Sequence, residues 1–195
     1  MVAALDPASR TPAASIVKRS QLSRDALAAL DSGANLRGLL DDLLGRGLPA
    51  DALTVIAQSL PKRYVVAWAC DCLKTVMPSD PKAGLKSNEK SNDMDRAGLS
   101  LAQQWLSDPT EENRKAALDF AERGEFGSPG AWIAASAGWT GGSLLPRGYD
   151  VIAPPDTLPA EASVAALRMA ASRSPEYTNL INGFIARAIK LFGQG

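Results

Sequence analysis

The spacing of apolar residues along the chain is the feature that most restricts its fold. From residue 24 to the C-terminal end, leucine, alanine and other apolar residues recur three and four positions apart, and glycine or proline interrupts each run. This spacing places apolar side chains on one face of an α-helix. Alternating runs of β-branched residues, which indicate strands, are missing, and Val151-Ile152 is too short to form one. The sequence therefore predicts an all-α fold, a single domain of about eight helices in antiparallel pairs.

Polar residues in front of several apolar runs support this prediction. Ser23, Asn35 and Ser128 each precede a run with helical spacing. We expect them to be N-caps, because a short polar side chain can accept a hydrogen bond from the free N–H groups of the first helical turn. Asp108 is followed by Pro109 and two glutamates, which predicts a helix that begins with Asp108 as its cap and proline in the first position.

One predicted helix, Tyr64–Met77, is apolar almost all round, which is typical of a helix surrounded by other helices. We therefore expect it to form the centre of the core. A later predicted helix, Gly130–Trp139, consists largely of alanine. Such small residues permit a close approach between helices.

The remaining segments have the composition of connections. Residues 1–20 are rich in alanine, serine, proline and threonine without helical spacing, and they predict a flexible N-terminal arm ahead of a helical domain over residues 21–195. Residues 78–92 are polar, with two prolines and a glycine, and predict a loop or hinge. A stretch that contains several prolines, Pro146–Pro159, is expected to run extended against the surface before the last helix pair.

Charge and composition exclude several classes of function. The chain has 21 basic and 21 acidic residues, so its formal net charge is zero, whereas nucleic-acid and anionic-membrane binding need an excess of lysine and arginine. It has no histidine, which excludes histidine-based triads, metal sites and general bases from this chain. We therefore expect no catalytic site, no cofactor, no metal, no nucleic-acid partner and no membrane partner.

The two cysteines, Cys70 and Cys72, lie two positions apart, where a helix points them in different directions. The main interpretation is that both are small buried core residues, and a redox or metal role is the alternative. Unpaired cysteines suit a reducing compartment. The N-terminal residues lack the basic start and apolar stretch of a signal peptide, so we expect a cytoplasmic protein.

Carboxylates are the main candidates for catalysis. Asp71 lies within the most apolar predicted helix, and further acids cluster between Asp108 and Glu122. A catalytic pair needs one carboxyl group in an apolar pocket, whereas helix capping and surface ion pairs account for most of these acids. A role for Asp71 stays open at this point.

The end of the alanine-rich helix provides a candidate partner-binding site. Trp139 is followed by a glycine pair, Gly141 and Gly142, and then by Leu144 and the proline-bearing stretch. A tryptophan at such a position can line a groove that receives a peptide or helix of a partner. The alternative is that Trp139 holds the proline-bearing stretch against the helices.

Two groups of residues resemble motifs of an uncharacterised bacterial family. They are Leu60-Pro61-Lys62-Arg63-Tyr64 with Ala67-Trp68-Ala69-Cys70, and Ala131-Trp132 with Trp139-Thr140-Gly141-Gly142-Ser143-Leu144. The similarity covers roughly residues 20–190. Members of this family are often encoded near type VI secretion genes. The resemblance implies a cytoplasmic accessory or adaptor protein of a secretion locus, and it supplies no catalytic residues.

These observations predict a non-enzymatic helical module that binds another protein, for which a secretion-system component is one candidate; self-association is left open. Two alternatives remain. One is an immunity-type protein that neutralises a cognate toxin. The other is a carboxylate-dependent hydrolase centred on Asp71 or on the acids between Asp108 and Glu122.

Overall fold

A computed structural model describes residues 11–31, 34–77, 89–145 and 149–192, with only the backbone described for residues 89–91 and 192. Within these ranges the chain forms nine α-helices and no strand, so the predicted all-α class is confirmed. The helices are α1 (Arg24–Leu30), α2 (Leu36–Gly45), α3 (Pro49–Ser59), α4 (Lys62–Val76), α5 (Glu89–Ser107), α6 (Glu111–Arg123), α7 (Pro129–Gly138), α8 (Leu158–Ser172) and α9 (Tyr177–Phe192).

The three predicted N-caps are confirmed. The Ser23 side chain accepts a hydrogen bond from the Ala26 N–H at 3.2 Å, and the Asn35 side chain accepts one from Gly38 at 2.8 Å. At the start of α7, the Ser128 hydroxyl accepts the Ala131 N–H at 3.1 Å. Each bond gives a partner to one of the N–H groups that a helix leaves free at its first turn.

Two predicted helix starts differ from the structure. Helix α6 begins at Glu111 and its cap is Thr110, whose hydroxyl accepts the Asn113 N–H at 3.3 Å. The prediction that Asp108 is the cap was wrong, because the extended conformation that a cap requires occurs at Thr110. Helix α5 begins at Glu89, inside the predicted 78–92 loop; residues 78–88 of that loop lie outside the described residues.

Contacts within the chain separate two compact units, Met1–Pro61 with Ser174–Gly195, and Lys62–Arg173. The first unit contains α1, α2, α3 and α9. Its core is formed by leucines of α2 with apolar residues of α3 and α9, including Phe184, which is only 1% exposed. Asp51 on α3 accepts hydrogen bonds from the Ser23 backbone N–H and hydroxyl at 2.8 and 2.9 Å, so the residue that caps α1 is also held by α3.

Residues 11–20, the described half of the predicted arm, contain two short 3-10 turns, Ala13–Ser15 and Arg19–Gln21. Ala13 and Val17 are buried, and the Ala13 N–H donates to the carbonyl of Ala34 at 3.0 Å. Residues 1–10 lie outside the described part of the chain. The division into an arm over residues 1–20 and a helical domain over residues 21–195 stays a prediction.

The second unit contains α4 to α8, and α7 is its central helix. Nine of the ten residues of α7 are buried, and α7 packs against α4, α5, α6 and α8. Helix α4, the predicted centre, also buries most of one side, with Trp68 completely inaccessible, but Arg63, Tyr64 and Lys74 are exposed. Small side chains explain the difference, because alanine and glycine let several helices surround α7 at close range.

Helices α5 and α7 cross at very close range. A Cβ atom added to Gly98 would lie 2.1 Å from the backbone oxygen of Gly130, and one added to Gly130 would lie 2.4 Å from the Cα of Asp95. Asp95, which is 3% exposed, accepts the Gly130 N–H at 2.9 Å and forms an ion pair with Arg173. This carboxylate satisfies a free N–H at the positive end of α7.

Candidate functional site

The predicted partner-binding site begins at the C-terminal end of α7, where three aromatic rings meet. Trp139, the C-cap residue, lies 5.6 Å from Phe126 in a stacked arrangement and 6.3 Å from Trp132 edge-on, measured between ring centroids. Phe126 follows α6 and has a positive φ of 53°, as does Glu125 at 50°. This turn directs the Phe126 ring toward both tryptophans, and the ring contacts offset part of its energetic cost.

Arg114 of α6 fixes the backbone that follows Trp139. The residue is buried, with 5% of its surface exposed. Its guanidinium donates a hydrogen bond to the Gly138 carbonyl and two more to the Glu111 carboxylate, the latter at 2.7 and 2.8 Å. The bond from Arg114 lowers the pKa of Glu111 to about 2. A cation at the end of α7 also complements the negative end of the helix dipole.

Gly142 fits this arrangement for two reasons. Its φ of +77° lies in the left-handed region, which glycine adopts without a steric penalty. A Cβ atom at this position would also lie 2.1 Å from a terminal nitrogen of Arg114. On the other side of the turn, Lys62 donates to the Thr140 carbonyl at 3.3 Å and pairs with Asp156 at 2.7 Å. The turn after α7 is therefore held by two cations from two other helices.

The following segment displays large apolar side chains. The Leu144 N–H donates to the carbonyl of Ile152 at 2.8 Å, and the Ser143 hydroxyl accepts the N–H groups of Leu145 and Ile152 at 3.0 and 3.1 Å. These bonds hold the two ends of the segment together. We define the 144–152 patch as its five exposed apolar residues: Leu144 (44% exposed), Leu145 (38%), Tyr149 (71%), Val151 (80%) and Ile152 (50%).

The four predicted partner-binding residues lie in two environments. Trp139 is half-buried among aromatic rings, and Gly141 and Gly142 form the turn beside Arg114. Only Leu144 belongs to the 144–152 patch. The described aromatic contacts of Trp139 are with Phe126 and Trp132. The alternative that Trp139 holds the proline-bearing stretch against the helices stays a prediction. A binding role for these four residues stays a prediction.

Sequence reasoning missed the other four members of the patch. Val151 and Ile152 form a run too short to predict a strand, and no sequence motif marks Leu145 or Tyr149. The available signal was the concentration of large apolar residues in a stretch without helical spacing, where proline and glycine prevent a helix that could bury them. Residues 146–148 of this stretch lie outside the described residues.

The candidate carboxylates do not converge. Asp71 is half-buried, whereas Asp108, Glu112, Asp119 and Glu122 are all exposed along or beside α6. Among the residues that the structure describes, no group of three or more acids, cysteines or histidines could hold a metal ion. These positions therefore give no support to a carboxylate-dependent hydrolase, which needs one acid in an apolar pocket.

Both cysteines are buried, and neither forms a disulfide. Burial raises the pKa of the Cys70 thiol to about 12, which keeps it protonated and unreactive near neutral pH. This environment fits the interpretation of Cys70 as a core residue. In the described part of the chain, none of the helices combines the length and the apolar character that a membrane span requires.

Comparison with known sequences places the chain in a family. A search of curated proteins and a search of solved structures each find no match. The model of a protein family described as a family of unknown function, DUF6931, matches residues 39–192. The matched range includes the α5–α7 crossing, the aromatic cluster and the 144–152 patch. Because this match covers well over half of the sequence, the chain belongs to the DUF6931 family.

Proposed function

We propose that this protein is a non-enzymatic helical module for protein–protein interaction. The observation that supports the proposal is the 144–152 patch, in which five large apolar side chains are between 38% and 80% exposed within nine consecutive positions. Single exposed apolar residues are normal, whereas a concentration of them in one segment is costly to leave in water and is typical of interaction surfaces. Tyrosine, the largest member, is also among the residues that contribute most to binding at interfaces.

The surroundings of the patch suit a binding role. The ends of the patch are joined by one backbone hydrogen bond, from the Leu144 N–H to the Ile152 carbonyl, and the turn before it is fixed by Arg114 and Lys62. Residues that such a bond restrains, here Leu144 and Ile152, lose less conformational entropy when a partner binds than unrestrained residues would. The preceding turn supports the exposed residues, while the aromatic cluster behind it remains half-buried.

The finer part of the proposal is that the module is a cytoplasmic accessory or adaptor protein of a bacterial secretion locus. It is supported by the resemblance of the two tryptophan-containing motifs, by the neutral net charge and by two buried cysteines that form no disulfide. The immunity-type alternative differs only in its partner. Growth rescue on co-expression with a neighbouring toxin gene would identify that partner as a toxin.

Co-expression tests the proposal. A tagged chain is produced together with an untagged copy and with the products of neighbouring genes, and the proteins that co-purify are quantified. We expect one of these proteins to co-purify in a stoichiometric amount with the wild type and to be lost with Val151→Asp.

The matched control is Leu191→Asp on α9, because Leu191 is 53% exposed and lies outside the patch. This variant should retain the partner. Absence of any stoichiometric partner, or equal recovery with both variants, would contradict the proposal.

A further inference from the structure

We propose that residues 11–22, here named the N-terminal strap, are displaceable: they open from α3 while the helices stay folded. The site that they uncover then binds an equivalent segment of a partner. The strap belongs to the first compact unit and the 144–152 patch to the second, so this inference concerns a different surface and does not rest on the proposed function. It is carried by the small burial of the strap, by the way its backbone is held and by the neutral chemistry of its site.

The strap buries little side-chain surface. Ala13 and Val17 are buried, whereas most of its other residues are exposed, and its regular structure consists of two 3-10 turns. The next element, α1, buries Ala26, Ala29 and Leu30. Because a segment with few buried apolar contacts opens at a smaller free-energy cost than the fold around it, we expect the strap to open locally and α1 to stay in place.

A side chain of α3 holds the strap largely through its backbone. The Lys18 N–H donates to the side-chain oxygen of Gln58 at 2.6 Å, and the side-chain amide of Gln58 donates to the side-chain oxygen of Gln21. Nearer the start of the strap, the Ala13 N–H donates to the carbonyl of Ala34 at 3.0 Å. Every residue except proline has a backbone N–H, so a partner segment of different sequence can supply the same two donors.

Charge contributes little to this contact. Arg19 pairs with Asp31 at 2.6 Å, but their side chains are 54% and 58% exposed. Exposed ion pairs contribute little stability and are screened by salt. The Gln58 side chain, which both accepts and donates hydrogen bonds, is uncharged. A partner segment therefore needs a small apolar residue and a valine-sized residue four positions apart, as Ala13 and Val17 are, and no particular charge.

The tether makes the strap a competitor of such a partner. A segment of the same chain acts at a high effective concentration, so we expect the strap to occupy the site in most molecules. A partner binds only the open fraction of molecules, and its apparent affinity is reduced by that fraction. Substitutions that open the strap should therefore raise the affinity for a segment added in trans.

Hydrogen exchange of the full chain under native conditions, followed by mass spectrometry, tests the opening. In the wild type, we expect strap amides to exchange at least about tenfold faster than buried amides of α3. Val17→Asp places a carboxylate in a buried apolar position, so it should accelerate strap exchange by about a further tenfold and leave α3 and α9 protected. Ala14→Asp is the matched control, because Ala14 is exposed on the same strap. Equal acceleration by both variants would contradict a hold through Val17.

A synthetic peptide with the sequence of residues 11–22 tests the uncovered site. Added at millimolar concentration to the full-length Val17→Asp chain, it should shift the NMR signals of the Gln58 side-chain amide. The wild type should bind this peptide at least about tenfold more weakly, because its own strap occupies the site. The same peptide with Val17→Asp should cause no shift, since it lacks the larger apolar side chain.

Three outcomes would overturn the inference. The first is strap exchange in the wild type that is no faster than that of α3, since the strap would then be an integral part of the unit. The second is a Val17→Asp chain that loses its helical circular dichroism, because the helices would then depend on the closed strap. The third is a folded Val17→Asp chain whose Gln58 signals do not respond to the peptide. Local exchange in the wild type, together with tighter peptide binding by the Val17→Asp chain, supports the inference.

Discussion

The two ends of α7 differ in their surroundings: one is packed closely against another helix, and the other leads into an exposed apolar segment. At its N-terminal end, Gly130 contacts the backbone of α5 so closely that no Cβ atom fits, and the surrounding residues are buried. At its C-terminal end, Arg114 and Lys62 hold a glycine turn, after which large apolar side chains are exposed. The first end stabilises the fold through contact between small residues. The second end leads into the 144–152 patch, whose apolar side chains are exposed to solvent.

Among the substitutions that test this comparison, we expect the largest effect at the buried N-terminal end of α7. Gly130→Ala places a methyl group 2.4 Å from the Cα of Asp95, and neither backbone can move without separating the helices. We expect the free energy of unfolding to fall by about 3 kcal/mol. The measurement is urea denaturation followed by circular dichroism.

Gly183→Ala provides the control for this substitution. Gly183 lies within α9 with open space around it, so alanine should raise stability by about 0.5–1 kcal/mol through its better helix propensity. Similar destabilisation by both substitutions would show that the α5–α7 crossing does not depend on its close approach.

At the other end of α7, Arg114→Met removes the guanidinium and retains much of the apolar stem. The Gly138 carbonyl loses its buried donor, so we expect a loss of about 1–3 kcal/mol and a change in tryptophan fluorescence as Trp139 shifts. The control is Arg46→Met, which removes an exposed pair with Asp42 and should change stability by less than about 0.5 kcal/mol. An effect no larger than this control would argue that Arg114 does not hold the turn.

The Glu111–Arg114 pair predicts a pH dependence at this end of the helix. Since the hydrogen bond from Arg114 lowers the folded-state pKa of Glu111 from 4.5 to about 2, the pair stabilises the fold above about pH 4.5. This contribution should decrease as pH falls toward 2.

Comparing Glu111→Gln with the wild type by urea denaturation at pH 7 and pH 3 tests this. Because the Glu111 side chain is 55% exposed, we expect a difference below about 1 kcal/mol at pH 7 and a smaller one at pH 3. Glu112→Gln is the neighbouring control. A difference that grows on acidification would contradict the predicted sign.

The smallest effect is expected within the patch. Val151→Ser replaces a residue that is 80% exposed, so the stability of the isolated chain at low concentration should change by less than about 0.5 kcal/mol. Thermal unfolding of dilute protein measures it. A loss comparable to that of Gly130→Ala would show that Val151 is a core residue, which would remove the contrast between the two ends.

Much of the fold could be predicted from local patterns. Ser23, Asn35 and Ser128 were identified as caps because a cap depends on a side chain and the few N–H groups that follow it. Asp108 was predicted as the cap of α6 and Thr110 is the cap, because both residue types can cap a helix and the local sequence does not fix which position adopts the extended conformation. Of the residues in the 144–152 patch, the sequence predicted only Leu144. Outside a helix, the spacing of apolar residues does not indicate which side chains are exposed.

The sequence by itself determined the helical class, most helix boundaries and the lack of histidine chemistry, because these follow from residue type and from spacing along one helix. Only the tertiary structure decided that α7 is the central helix of its unit, that Gly98 meets Gly130, and that Arg114 supports the turn before the patch. Those relationships join residues from different helices. They depend on which surfaces pack together, and the spacing within a single helix carries no information about its neighbours.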